Sequence, residues 1–233
     1  VFYAGEAEVP AGMGSYEGLI ESASPGAAVE TAPDEMTAIY YTGGTTGRSK
    51  GVMLSQRNLL LNALQTMACI GMTPEDNYLH AAPMFHMADG VGSFSCALFA
   101  ACNTIIPLFD PKLFIETMQA EKVSHALIVP TMVNMVLHHP DLEGADLSSW
   151  RILMYGASPM PEALIAMALK KLPHVRMWQA YGQTEAAPVL TLMPPDYHTM
   201  EGPRSGKLRA AGRAVPGLQV AILDPEDREL PRQ

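Results

Sequence analysis

The sequence predicts an α/β fold: a largely parallel, doubly wound sheet with flanking helices, leading at its C-terminal end into the start of a β-rich subdomain. Three features carry this expectation. Short apolar runs of strand length alternate with stretches of helical periodicity. The runs are apolar throughout rather than at every second residue, which suits strands buried on both faces of a parallel sheet. Glycine and proline punctuate the strand ends, the places where ligands gather in such sheets.

Residues 1–36 are rich in Pro, Gly, Ala and Glu and show little periodicity. They read as a lead-in with one short helix, Tyr16–Ser22. From Thr37, "TAIYYT" is a β-branched and aromatic run that enters a glycine loop, and so reads as a strand. Ser55 is placed to cap a helix whose Leu59, Leu60, Ala63, Leu64 and Met67 fall at helical spacing. Then "YLHAAP" precedes a helix around Gly90–Ala101, "NTIIPLF" precedes Pro111–Ala120, and "SHALIVP" precedes Thr131–His138. "RILMYG" precedes Pro161–Lys171, and "VRMWQAYG" closes the series. From Gly206 the pattern becomes alternating and glycine-rich, reading as the first strands of a second unit. The expected organisation is therefore a lead-in over 1–36, a core over 37–200, and the start of a β-rich subdomain over 201–233. The opening at Val1 and the stop among charged residues read as cuts in a longer chain.

Acidic residues outnumber basic ones by 24 to 15, for a formal charge of −9. With no run of Lys or Arg, this balance argues against nucleic acid or an anionic membrane as partner. Cys69, Cys96 and Cys102 lack metal-ligand spacing and read as reduced, buried thiols of a cytoplasmic protein. No apolar run is long enough for a transmembrane segment.

The stretch "YYTGGTTGRSKGV", 40–52, is built to hold an anion. Its glycines expose successive backbone N–H groups, Thr42, Thr45 and Thr46 add hydroxyls, and Lys50 adds a point charge. It is not a Walker loop, because Lys50 follows Ser49 and precedes Gly51. Nor do Gly43, Gly44 and Gly47 give a dinucleotide fingerprint. The bland alternative is a mobile hairpin tip, which glycines alone would favour; the threonines and lysine favour a phosphate site. No Gly-x-Ser-x-Gly elbow or Cys/His arrangement supports hydrolysis.

These residues resemble the phosphate loop of the adenylate-forming superfamily, usually Tyr-Thr-Ser-Gly-Thr-Thr-Gly-x-Pro-Lys-Gly, with Gly43 in place of Ser and Ser49 in place of Pro. "APMFHMADG" (82–90), "YGASPM" (155–160), "QAYGQTEAAPVL" (179–190) and "GRAVPGLQVAILD" (212–224) resemble its later segments in the same order. The resemblance implies the acyl-CoA synthetase, or fatty-acid–CoA ligase, branch. Its chemistry is attack of a carboxylate on the α-phosphorus of ATP, giving acyl-AMP and pyrophosphate, followed by displacement of AMP by coenzyme A.

By this resemblance Thr42, Gly43, Gly44, Thr45, Thr46, Gly47 and Lys50 hold the β- and γ-phosphates. Glu185, with Thr42, binds Mg²⁺, and Thr184 contacts the α-phosphate. Tyr181 stacks on adenine while Gln179, Ala180 and Gly182 line its edge. Gly156, Ala157 and Ser158 pass as bare backbone between nucleotide and acyl group, and His86 meets the reacting carboxyl. The expected catalytic set is Lys50, His86, Thr184 and Glu185. The bland readings are a helix cap for Thr184–Glu185, a strand-end aromatic for Tyr181 and a capping turn for Ser158–Pro159. His80, His125, His174 and His198 read as structural. Segments 84–98 and 130–137 hold no Arg or Lys, which favours an apolar monocarboxylic acid, a medium- or long-chain fatty acid, with an aryl acid as the alternative. The resemblance leaves room for a homodimer of the parent enzyme. A nucleotide-binding module without ligase activity is the reading from another class. The ribose-binding aspartate, the hinge and the small domain with its catalytic lysine lie outside this sequence.

Overall fold

The structure is a computed structural model that describes residues 1–27, 29–43 and 47–231. The chain divides into two units, Val1–Ala32 and Pro33–Gln233. In the first, strand β1 (Phe2–Tyr3) pairs in parallel with β2 (Gly14–Ser15). Helix α1 (Tyr16–Ser22) follows, and the Ser15 hydroxyl accepts the Gly18 N–H at 3.0 Å, the N-cap bond that Ser provides best. The helix has no buried residue.

The second unit opens with an antiparallel hairpin, β3 (Met36–Thr42) and β4 (Lys50–Ser55), which stands outside the main sheet. Ser55 ends β4 and caps α2 (Gln56–Ile70) in a reciprocal box with Asn58. Next come β5 (Asn77–His80), α3 (Met87–Phe99), β6 (Cys102–Ile105), α4 (Pro111–Ala120), β7 (His125–Leu127) and α5 (Pro130–His138). The series ends with β8 (Ile152–Gly156), α6 (Glu162–Lys171), β9 (Arg176–Gly182), β10 (Val189–Met193) and β11 (Arg213–Ala214). Helix α3 begins three residues earlier than its periodicity predicts. His86 occupies the N-cap position and a left-handed Ala100 ends the helix.

Seven strands form one sheet in the order β11–β10–β9–β8–β7–β5–β6. β6, β5, β7, β8 and β9 run parallel, while β10 pairs antiparallel with both β9 and β11. Neighbouring residues of one strand face opposite layers, as the two-residue strand period requires. Leu79, Ala126, Leu153, Tyr155 and Met177 pack against Phe114, Met118, Val133, Val136 and Ile165 of α4, α5 and α6. Tyr78, Leu127, Ile152, Met154 and Trp178 pack against Met67, Ile70 and Cys96 of α2 and α3. Every residue of β8 is buried, which explains its unbroken apolar sequence. The hairpin covers a third cluster, where Leu54, Val52 and Tyr40 meet Leu59, Ala63, Met87 and Val91.

Beyond residue 200, the described residues contribute β11 to the sheet edge and one isolated bridge, Leu223 to Glu229. The reading of all three thiols as buried needs correction. Cys96 is buried and Cys69 partly so, but Cys102 is exposed because it opens the edge strand β6. Among the described residues no helix is long and apolar enough to cross a membrane.

The strand order has a direct consequence for ligand binding. After β5 the chain adds β6 on one side and then returns to add β7 on the other, so the order reverses between β5 and β7. Above the C-terminal ends of those two strands lies the crevice where open α/β sheets bind ligands.

Candidate active site

Two cavities open at the C-terminal edge of the sheet. The smaller, about 520 Å³, lies over the reversal: Ala82, Pro83 and His86 follow β5, and Leu127, Val129 and Met132 end β7 and open α5. Its far side is Thr184, Pro188 and Val189. The larger, about 770 Å³, is bounded by Ser158, Pro159, Met160, Glu162, Gln179, Leu208, Arg209 and Ala211. Both share Ala157, Ala180, Tyr181 and Gly182, so a strip of strand-end backbone separates them.

Two glycines at that strip are required on steric grounds. Gly156 pairs with Ala180 across β8 and β9, and a Cβ on Gly156 would run into the Ala180 carbonyl oxygen. A Cβ on Gly182 would likewise strike the carbonyl of Pro188. Ala157 adopts φ 63°, a left-handed conformation uncommon for a residue with a side chain and typical of functional turns. Tyr181, 55% exposed, projects from the end of β9.

Thr184, Glu185 and Ala186 form a single 3₁₀ turn between β9 and β10. Gln183, not Thr184, occupies the cap position and makes no side-chain cap bond, so helix capping does not account for Thr184. Capping does not account for Ser158 either, because α6 starts after Pro161. The turn packs against β4, the strand that Lys50 opens. Thr42 and Lys50 are register partners in the hairpin, and the Thr42 hydroxyl donates to the Lys50 carbonyl at 3.4 Å. Gly44, Thr45 and Thr46 lie outside the described residues. His86, Gly156, Ala157, Ser158, Gln179, Ala180, Tyr181, Gly182 and Thr184 thus border the cavities, whereas Thr42, Gly43, Gly47, Lys50 and Glu185 do not.

A buried polar network joins β5 to α3 and β6. His80 Nδ1 sits 2.9 Å from the Asp89 carboxylate and Nε2 sits 2.8 Å from Asn103 Oδ1, while the Tyr78 hydroxyl donates to Asp89 at 3.3 Å. Burial alone would lower the His80 pKa, but the hydrogen bonds to Asp89 and Asn103 and the Asp89 charge hold it above its ordinary value. The Asp89 carboxylate is therefore engaged and fully covered. His125, His174 and His198 also have structural partners: Ser124, the Leu147 carbonyl and the Tyr155 hydroxyl.

The sequence pattern of the family described as AMP-binding enzyme matches residues 4–233. The chain belongs to the AMP-binding enzyme family. A 4-coumarate–CoA ligase of Humulus lupulus is 35% identical to it over 213 residues, covering 88% of this chain and 38% of that protein. An indoleacetate–CoA ligase of Aromatoleum aromaticum is 30% identical over 226 residues, covering 95% and 42%. The crystal structure of a long-chain-fatty-acid–CoA ligase of Archaeoglobus fulgidus superimposes with a TM-score of 0.80 at 29% identity, over 93% of this chain and 44% of that one. The chain thus spans well under half the length of these members of the AMP-binding enzyme family.

Family membership raises the question of a magnesium ion, and the donor chemistry here is compatible with one. Among the described residues no three His, Cys, Asp or Glu side chains are grouped to hold a metal. Magnesium needs no such cage, since it keeps several waters and takes one or two carboxylates together with substrate phosphates. Glu185 offers an exposed carboxylate that forms no hydrogen bond or ion pair among the described residues, in a turn packed against the Lys50 strand. The sequence reading missed Leu208, Arg209 and Ala211 on the larger cavity, and no local motif marks them. They arrive from the glycine-rich stretch that follows β10.

Proposed function

We propose that the parent protein of this chain activates a carboxylic acid with ATP, giving acyl-AMP and pyrophosphate, and then passes the acyl group to coenzyme A. The observation that carries the reading is a pair of cavities that meet at bare backbone beside the Thr184–Glu185 turn and the Lys50 strand. In this reading the base and ribose occupy the larger cavity, with Tyr181 against the adenine and Gln179, Ala180 and Gly182 along its edge. The acid occupies the smaller cavity, and its carboxylate reaches His86 and the Gly156–Ser158 strip. Thr184 donates to the α-phosphate, and the loop residues from Thr42 to Gly47 with Lys50 hold the leaving phosphates. Fixed donors and a positive charge stabilise an in-line phosphoryl transition state without reorganising at the moment of reaction. Glu185 and Thr42 would hold magnesium, which would supply charge neutralisation on the phosphates.

An apolar monocarboxylic acid, a medium- or long-chain fatty acid, is the substrate we assign. Among the described residues no Lys or Arg lines the smaller cavity to pair with a second carboxylate, and the Asp89 carboxylate is already engaged. An aryl acid is the second reading, supported by the 4-coumarate and indoleacetate specificities in the names of the curated relatives. Pyrophosphate exchange by the parent protein across a panel of alkyl and aryl acids tests both. Exchange with alkyl acids and release of AMP are expected. ADP as product, or nucleotide binding without exchange for any acid, overturns the ligase reading.

A further inference from the structure

We propose that Asn62 is a positioning residue that sets the Thr184–Glu185 turn relative to the phosphate-loop strand; the inference rests on the ligase reading above. Asn62 lies two helical turns into α2 and is 3% exposed. Its amide Nδ2 donates to the Val189 carbonyl at 2.8 Å, and its Oδ1 accepts the Val189 N–H at 3.0 Å. A third, longer bond of 3.4 Å runs from Nδ2 to the carbonyl of Ala186, the last residue of the Thr184–Glu185 turn. β11 pairs with Thr191 and Leu192 but does not reach Val189, so the Asn62 amide takes the place of a neighbouring strand there.

Only an amide fits these partners. It presents a donor and an acceptor side by side, as a peptide group does, whereas a carboxylate only accepts and an aliphatic side chain offers neither. The partners lie 127 residues away in sequence. Helix α2 follows directly from β4 through the Ser55 cap, so the residue that grips the turn sits on the same continuous segment as Lys50. Around the amide, Leu59 and Ala63 of α2 pack with Ala187 at the end of the turn. One buried side chain thus registers two phosphate-facing elements that the sequence places far apart. A shift of about 1 Å in such a register costs roughly a hundredfold in rate.

The test uses the full-length parent enzyme with Asn62→Asp, which keeps the acceptor and loses the donor, and Asn62→Ala, which loses both. Pyrophosphate exchange reads adenylation, and coenzyme A acylation from supplied acyl-adenylate reads the step that follows pyrophosphate departure. The expected result is a 10- to 100-fold fall in exchange, with a higher Mg·ATP requirement, while acylation from acyl-adenylate stays within threefold of wild type. The Asp variant should lose at least as much as the Ala variant, because its buried carboxylate faces the Val189 and Ala186 carbonyls. Equal losses in both half-reactions, unchanged exchange, or failure of both variants to fold would make Asn62 purely structural and overturn the inference alone. A wild-type enzyme that exchanges no pyrophosphate overturns the ligase reading and takes this inference with it.

Discussion

Replacing Gly156 with alanine probes the strip that separates the two cavities. The added Cβ meets the Ala180 carbonyl oxygen well inside contact distance, and Ala180 C and Cβ lie 3.2 and 3.5 Å away. The clash is with main chain on the paired strand, so no rotamer change relieves it. Gly156 is not among the positive-φ residues, so the cost is one of contact rather than backbone strain. Overpacking of this kind destabilises by about 1–3 kcal/mol. Alanine also restricts the unfolded chain, which offsets about 0.4–1 kcal/mol. The net expectation is a loss of about 1–2 kcal/mol, read as a lower urea midpoint at unchanged slope. The ends of β8 and β9 must also spread, and pyrophosphate exchange by the parent enzyme should fall by about a hundredfold. Stability within about 0.5 kcal/mol of wild type, the range of neutral surface changes, together with normal exchange would refute this account of the strip.

Two further outcomes are expected. Glu185→Gln removes the charge of an exposed residue, so folding should persist while exchange falls by about a hundredfold or more; near-normal exchange would show that this carboxylate is not part of the phosphate site. His198 is buried against the Tyr155 hydroxyl, and burial pushes its pKa down to about 4, below the ordinary 6.5. The unfolded chain therefore binds the proton more readily, so the stability His198 contributes is complete above 6.5 and is lost as pH falls toward 4. At about 1.4 kcal/mol per pH unit the full loss reaches about 3 kcal/mol. Urea titrations at pH 7 and pH 5 should show a steeper acid loss for wild type than for His198→Asn, and parallel slopes would discard the assignment.

Local signals made part of the fold legible. The helices Tyr16–Ser22 and Pro111–Ala120 have the bounds read from the sequence, because Ser15 and Asp110 cap them and Pro111 fixes the start of the second. The buried strand Ile152–Gly156 could be read because burial on both faces forces an unbroken apolar run. The strand Lys50–Ser55 could not. Its Gly51 and exposed Met53 interrupt any apolar run, and pairing with Met36–Thr42 holds it in place. Of the site, segments that end strands were visible as motifs. The Asn62 amide was not, because its partners are main-chain groups 127 residues away and leave no trace in the side-chain pattern. Strand order was equally hidden, being a property of chain crossings rather than of composition.

A partition made of peptide groups changes little under mutation, which alters side chains and leaves the main chain in place. Met132 and Val129 face one chamber alone, and Leu208 and Arg209 face the other alone. Replacements on one side therefore reshape that chamber without redrawing its neighbour. Two compartments with a common wall at Ala157, Ala180 and Gly182 can diverge at separate rates, so a descendant chain could change what it accepts in one while inheriting the other intact.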